Sequence, residues 1–302
     1  MKTKWIASLG IAGALFATGG PAAAHDPLLA PIEPAYAARW LGGEAPIKVY
    51  GNSYIVGFSG LSVGLIKTSQ GLILVDAALP QAVPAIEANI RALGFKVADI
   101  KLILSTEPHY DHAGGLAALA RDSGATVVAS APTAEALRRG RPGPDDPQLA
   151  DLVPFPAVAK LRVVKDGEVI RLGDVAVTAR ATPGHTGGSM SWTWTSCERR
   201  DCKAVVFGSS LNPVSSDGYR FSDPNNAGVV AGFRRSFETM RGLKCDVLIS
   251  AHPDQSGGDQ RLARARRAEK PNPFVDPSAC RSYADRYAAR LDARLAKERA
   301  GL

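Results

Sequence analysis

The sequence predicts a single α/β domain in which two β-sheets pack together and helices lie outside them. Three observations carry this expectation. Short, β-branched-rich runs recur through both halves of the chain, separated by Gly and Asn. Helical patterns stand between and after them, at 80–94, 114–122, 225–241 and 281–299. No linker of domain-boundary character and no short repeat interrupts the 302 residues, which suffice for a sizeable core. The composition, 45% apolar and 22% charged, is that of a globular protein and excludes a disordered or collagen-like chain. The net charge of +7 comes without a run of like charges, so nucleic acid is not an expected partner.

The elements follow in order. Lys2 and Lys4 precede an apolar stretch, Trp5 to Thr18, and Ala22-Ala23-Ala24 then offers an A-x-A site before His25. This pattern reads as a secretory signal peptide over 1–24, with an N-terminal anchor as the competing reading. Residues 25–302 then form the mature domain. No later segment has eighteen uninterrupted apolar residues, so no membrane contact is expected after cleavage. Strands are expected within 47–57, 61–68 and 71–76, each closed by turn residues, then the helix at 80–94 with Pro first and Gly last. A buried strand at Ile100–Ser105, a helix, a strand at Thr126–Ser130 and a breaker-rich loop at 138–148 come next. Strand-like runs at 161–164, 168–172, 175–179, 190–195, 204–208 and 246–250 fill the second half.

The four cysteines are even in number and fall in the exported part, which favours disulfides. Cys197 and Cys202 flank a polar turn and can staple a hairpin. Cys245 and Cys280 then tie a late strand to the C-terminal region. The competing reading, a zinc–thiolate cluster, needs CxxC-like spacing, whereas four, 42 and 34 residues intervene here.

Five histidines are few, and four sit just past strands. His109 and His112 lie in Glu107-Pro-His109-Tyr-Asp111-His112, after the strand at 100–105. His185 lies in a Gly-rich turn and His252 at another strand end. Glu107, His109, Asp111 and His112 put four possible metal ligands within six residues. They cannot all face one point on a regular helix, but a loop can aim them at two adjacent points, which suits two neighbouring metal ions. Imidazole and carboxylate without thiolate suit zinc, with iron, manganese and nickel as alternatives. Such a site acidifies water, so hydrolysis is the default reaction class.

These residues resemble the metallo-β-lactamase family and its H-x-H-x-D-H signature, through Glu107-x-His109-x-Asp111-His112, Gly184-His185 and His252. Asp76, closing Gly71-Leu-Ile-Leu-Val-Asp76, matches an aspartate that orders the metal loop through hydrogen bonds. Gly51-Asn-Ser-Tyr-Ile-Val-Gly, Ser130-Ala-Pro-Thr, Pro183-Gly-His-Thr and the Cys245/Cys280 placement resemble subclass B3 in particular, from about Ala38 onward. The resemblance implies an αβ/βα sandwich of two mixed sheets with external helices. It implies Glu107, His109 and His185 on a first zinc, with Asp111, His112 and His252 on a second. A hydroxide between the metals, oriented by Asp111, would attack the β-lactam carbonyl.

Two departures stand out. Most relatives have His, and some Gln, where this chain has Glu107, whose charge makes the first metal a weaker Lewis acid. Gly208-Ser209-Ser210-Leu211 holds neither the metal-bridging aspartate of many hydrolases of this fold nor the cysteine of another lactamase subclass, as in B3. Ser210 or Asn212 can bind the substrate carboxylate or simply close a loop, and Trp40 can wall the site or merely pack. The expected protein is a periplasmic, monomeric β-lactam hydrolase. Another hydrolase of the same fold (lactonase, thioesterase or phosphodiesterase) and a metal-binding protein without turnover are the alternatives.

Overall fold

The computed structural model describes residues 1–2 and 26–301. Apart from Met1 and Lys2, the segment read as a signal peptide, 1–24, lies outside the described residues, as does His25. Among the described residues, no helix is long and apolar enough to cross a membrane.

The chain opens with a short helix α1 (Ala37–Trp40), a hairpin of β1 (Ile47–Tyr50) and β2 (Ser53–Ile55), then β3 (Gly64–Thr68) and β4 (Gly71–Val75). Helix α2 (Val83–Ala92) leads to β5 (Ile100–Leu104), the one-turn α3 (Tyr110–Ala113), α4 (Leu116–Ser123), β6 (Thr126–Ala129), α5 (Ala131–Arg139) and β7 (Leu161–Val163). The second half runs β8 (Val169–Leu172), β9 (Val175–Ala181), β10 (Met190–Glu198), β11 (Asp201–Gly208), α6 (Ala227–Gly242) and β12 (Val247–Ser250). Helices α7 (Pro253–Ser256), α8 (Gly258–Arg266) and α9 (Ala279–Arg299) complete it.

Strands β1 to β7 form one sheet in sequence order, antiparallel as far as β4 and parallel beyond it. The second sheet has the order β12-β11-β10-β9-β8, with only β11 and β12 parallel. Both sheets are mixed, as expected. Side-chain alternation makes the layers. Ile66, Ile73, Val75, Leu104 and Val128 meet Val177, Trp192, Val205, Phe207 and Ile249 between the sheets. Their strand neighbours Leu65, Leu72, Leu74, Ile103 and Val127 face outward under Ile86, Ile90, Leu116 and Leu137 of α2, α4 and α5. Across the molecule, Val206 and Leu248 turn outward beneath Phe233 and Phe237 of α6 and Tyr283 and Leu291 of α9. This helix–sheet–sheet–helix order is the sandwich that the resemblance implied.

The structure adds α1, α3, α5, α7 and α8, which no sequence signal singled out, and it shortens two helices. A tight turn at Pro80–Ala82 precedes α2. The helix expected from Gly114 starts at Leu116, because Gly114 and Gly115 serve a close approach instead. A Cβ on Gly115 would stand 2.4 Å from the Ala77 carbonyl oxygen, and one on Gly114 would stand 2.5 Å from Pro80 Cδ. That approach presses α3 against the end of β4.

Both expected disulfides are present. Cys197–Cys202 closes the β10–β11 turn, and Cys245–Cys280 joins the start of β12 to α9. The second bridge spans 35 residues, and closing a loop of that length removes about 3–4 kcal/mol of unfolded-chain entropy. A Cys245→Ser/Cys280→Ser variant is therefore expected to melt well below the parent by calorimetry, while Cys197→Ser/Cys202→Ser loses less. An unchanged melting temperature in the first variant would refute this assignment of stability.

Candidate metal centre

The centre is assembled at one edge of the two sheets from five strand ends. Strand β4 delivers Asp76, β5 delivers Glu107 and His109, and α3 then presents Asp111 and His112. The turn after β9 carries His185, the segment after β11 carries Ser210 and Asn212, and His252 follows the end of β12 as the cap of α7. His109 caps α3 with extended backbone, while Asp111 and His112 lie within that single turn. The expected loop is thus a strand end joined to one helical turn. This is what lets His109 and Asp111–His112 face different points.

Two triads result. One ligand atom each from Glu107, His109 and His185 lie within 4.8 Å of one another, and likewise from Asp111, His112 and His252. All six residues are buried, Glu107 completely.

Each imidazole has one ring nitrogen committed to an acceptor on the protein side. His109 Nε2 lies 2.8 Å from Asp146 Oδ2, and His185 Nδ1 lies 2.8 Å from the Asn212 carbonyl oxygen. His252 Nδ1 lies 3.2 Å from the Gly60 carbonyl oxygen, and His112 Nδ1 lies 3.5 Å from Asp76 Oδ2. Those acceptors require N–H at the outer nitrogen, which leaves the lone pair on the inner one. His112 Nε2 and His252 Nε2 stand only 3.1 Å apart, with Asp111 Oδ2 at 3.4 and 3.3 Å from them. Two imidazole nitrogens and a carboxylate oxygen converging at this distance share either a proton or a metal ion, so the donor set fits a bound metal once the proton is displaced.

The charges point the same way. Burial opposes ionisation of Glu107, but the imidazoles of His112, His185 and His109 pull its carboxyl down to about 2. Burial likewise works against charge on His112, yet the Asp111 and Glu107 carboxylates push it up to about 10. Asp111 overcomes its own burial through His112 and His252 and stays ionised far below the usual carboxylate range. The cluster attracts cations strongly, and a metal must displace protons to enter.

Supporting contacts fix the loops. Asp76 takes φ 61°, a left-handed backbone that Asp tolerates better than most residues. Its Oδ1 accepts from the Thr106 backbone N–H and its Oδ2 from Thr106 Oγ1, both at 2.7 Å, immediately before Glu107. Ser210 turns into the same region. Its Oγ donates to Glu107 Oε1 at 2.7 Å, and its N–H donates to Glu107 Oε2 at 3.1 Å. Of its two expected roles, the geometry gives Ser210 the structural one. It is fully buried and does not line the cavity. Tyr283 Oη accepts from Leu211 N–H and donates to the Ser209 carbonyl oxygen, pinning this segment to α9.

Above the triads opens a cavity of about 870 Å³, lined by Trp40, Tyr110, Gln148, Asn212, Tyr287 and Arg290 among others. The Trp40 ring lies 5.5 Å from that of His252. Gly60 makes this possible, because a Cβ there would stand 2.6 Å from Trp40 Cα. Trp40 and Asn212 both line the cavity. Sequence reasoning missed Asp146, Gln148, Tyr283 and Arg290. Asp146 lies in the breaker-rich loop, where no periodicity marks it, although an Asp beside Pro in that loop was the available hint.

A sandwich with two buried His/carboxylate triads at one edge defines the class of metallohydrolases. The metallo-β-lactamase superfamily model matches residues 56–252. A B3 metallo-β-lactamase with an active-site glutamic acid is 55% identical, covering 91% of this chain and 98% of its own, with a TM-score of 0.84. The Rm3 metallo-β-lactamase is 46% identical over 87% of this chain and 97% of its own, also with a TM-score of 0.84. A hydroxyacylglutathione hydrolase of Brucella anthropi is 31% identical, over 49% of this chain and 45% of that protein. The chain spans about half the length, or less, of the curated relatives it matches. It belongs to the metallo-β-lactamase superfamily.

Proposed function

We propose that this protein is a subclass B3 metallo-β-lactamase, hydrolysing the β-lactam amide bond at a centre of two zinc ions. The observation that carries the reading is the pair of triads converging beneath an open cavity. Its high identity to B3 enzymes across almost the whole domain supports the substrate class. Glu107, His109 and His185 hold one ion, and Asp111, His112 and His252 hold the other. Metals bound there supply the charge that polarises a carbonyl and acidifies water.

The chain's own residues do the rest. Asp111, ionised and wedged between His112 and His252, accepts a hydrogen bond from the attacking water and orients it. Glu107 brings a negative charge where an imidazole would be neutral, and Ser210 fixes both of its oxygens. Trp40 supplies an apolar wall beside His252, and the Asn212 amide faces the substrate's polar end. The amino-terminal segment 1–24 directs export to the periplasm, where the mature chain 25–302 acts as a single-domain monomer.

A chromogenic cephalosporin assay with and without chelator tests the reading. Hydrolysis is expected to vanish on chelation and return with zinc. Metal uptake is expected to weaken as pH falls, since His112 must shed a proton it holds up to about 10. Cleavage of thioesters or lactones alone by the metal-replete protein would identify another hydrolase. Metal binding without turnover of any of these would leave only a binding role.

A further inference from the structure

The two disulfides sit in opposite settings. Cys245–Cys280 is sealed between β12 and α9, its two residues only 6% and 2% exposed. Cys197 and Cys202 are both exposed. Cysteine sulfur is apolar and is usually buried, so the open pair lacks the protection that the sealed one has. Cys197 also lines a surface cavity of about 600 Å³ together with Tyr50 and Gly51 of the β1–β2 turn, whereas Cys202 does not line it.

The exposed bond is also one that the local fold does not depend on. Cys197 and Cys202 stand directly opposite each other in the antiparallel β10–β11 ladder, so backbone pairing already holds them together. Side chains tie the same tip to the β1–β2 turn. Asn52 N–H donates to Ser196 Oγ at 3.1 Å, Gly51 N–H donates to Glu198 Oε1 at 3.3 Å, and Tyr50 Oη donates to the Asp201 carbonyl oxygen at 3.3 Å. The two cysteines are only five positions apart, and closing so short a loop removes little unfolded-chain entropy. From Cys202, β11 runs about 20 Å to Gly208 before the chain reaches Ser210 at the metal centre. The disulfide and the metal centre therefore occupy opposite ends of one hairpin.

We propose that Cys197–Cys202 is a thiol-exchange site, where a small aliphatic thiol entering the cavity opens the bond while Cys245–Cys280 and the metal centre stay intact. The attacking species is the thiolate. Its sulfur bonds to Cys197 Sγ as the Cys197–Cys202 bond breaks. The electron pair of that bond leaves on Cys202 Sγ, which takes a proton from water. A second thiolate then attacks the small thiol's sulfur in this mixed disulfide, releases a small disulfide and leaves Cys197 to be protonated in turn. Two small thiols are oxidised and one protein disulfide is reduced. Cys245–Cys280, sealed from solvent, offers no line of approach to either sulfur until the structure opens locally.

The test treats the zinc-loaded protein with 2-mercaptoethanol, quenches with iodoacetamide at intervals and maps each cysteine by peptide mass spectrometry. Cys197–Cys202 is expected to open at least about 100-fold faster than Cys245–Cys280, since only the buried pair must wait for local opening. Trapped intermediates are expected to carry mercaptoethanol on Cys197 and the alkyl group on Cys202. After desalting, zinc content is expected to match that of a Cys197→Ser/Cys202→Ser variant treated identically, which corrects for metal taken by the thiol itself. No opening of Cys197–Cys202, or opening of both bonds at one rate, would overturn the site, the second result being the mark of whole-domain unfolding. Adducts on Cys202, or divided evenly between the two sulfurs, would overturn the cavity as the route of attack. A zinc loss greater than the variant's would overturn the separation of this site from the metal centre.

Discussion

Replacing Glu107 by alanine is expected to strip metal from the first triad and to abolish most β-lactam hydrolysis. The carboxylate is wholly buried and ionised down to about 2, so it contributes a full negative charge to the place where a cation must sit. Its Oε1 lies 3.1 Å from His112 Nε2 and 3.8 Å from His185 Nε2, so it also shields imidazoles of both triads from one another. Alanine removes the ligand and also leaves the Ser210 N–H and hydroxyl buried without their acceptor, a desolvation cost of about 1–3 kcal/mol. Metal affinity at the first triad is expected to fall by more than about 100-fold, beyond the ~10–100-fold that losing a ligand's own partner costs. Elemental analysis after dialysis, with chelator competition, measures this. Stoichiometry and affinity equal to the parent's would remove Glu107 from the ligand set. Glu107→Gln is the useful companion, because it keeps the shape and an acceptor for Ser210 while deleting the charge.

Asp146→Ala is expected to weaken the same triad without touching a ligand, by about 10-fold in metal affinity. His109 and Asp146 are both buried and meet at 2.8 Å through Nε2 and Oδ2. Although burial disfavours charge on both, the contact favours the pair, raising His109 and lowering Asp146 from their ordinary values. With Nε2 held as the donor, Nδ1 is left to bind metal. The other Asp146 oxygen accepts the Gln148 N–H at 2.9 Å, and Gln148 reaches His185 Nε2 at 3.3 Å. One carboxylate therefore connects the cavity-lining segment around 146–152 to two histidines of the first triad. Asp146→Asn keeps an acceptor and is expected to lose less than Asp146→Ala. Hydrogen exchange over 143–149 should quicken in the alanine variant and slow in the parent on metal loading. A variant that binds metal as tightly as the parent, with unchanged exchange, would show that the contact is incidental.

Much of this molecule is legible in its sequence because the relevant signals are local. Alternating side chains in Leu72-Ile73-Leu74-Val75 and Val205-Val206-Phe207 split between two cores, and the strand pattern alone announces two-faced burial. Strand ends followed by Glu107-Pro-His109-Tyr-Asp111-His112, Gly184-His185 and His252 expose the ligand set, because a sheet edge aligns strand ends without further instruction. Helix α5 was less visible. It is short, begins with a Ser130 cap and Pro132, and ends at Gly140, so its few turns hide among the breakers of the next loop.

The sequence by itself determined the two-sheet sandwich, the six ligand candidates, Asp76 and both disulfide pairs. Only the tertiary structure decided that Ser210 faces Glu107 rather than the cavity, that Asp146 orients His109, and that Arg290 stands beside Asn212. These pairs lie 103, 37 and 78 residues apart in the chain. Hydrogen-bond partners at such separations leave no periodicity or spacing to read. They meet because sheet closure brings their loops to one edge, where buried donors and acceptors must find each other.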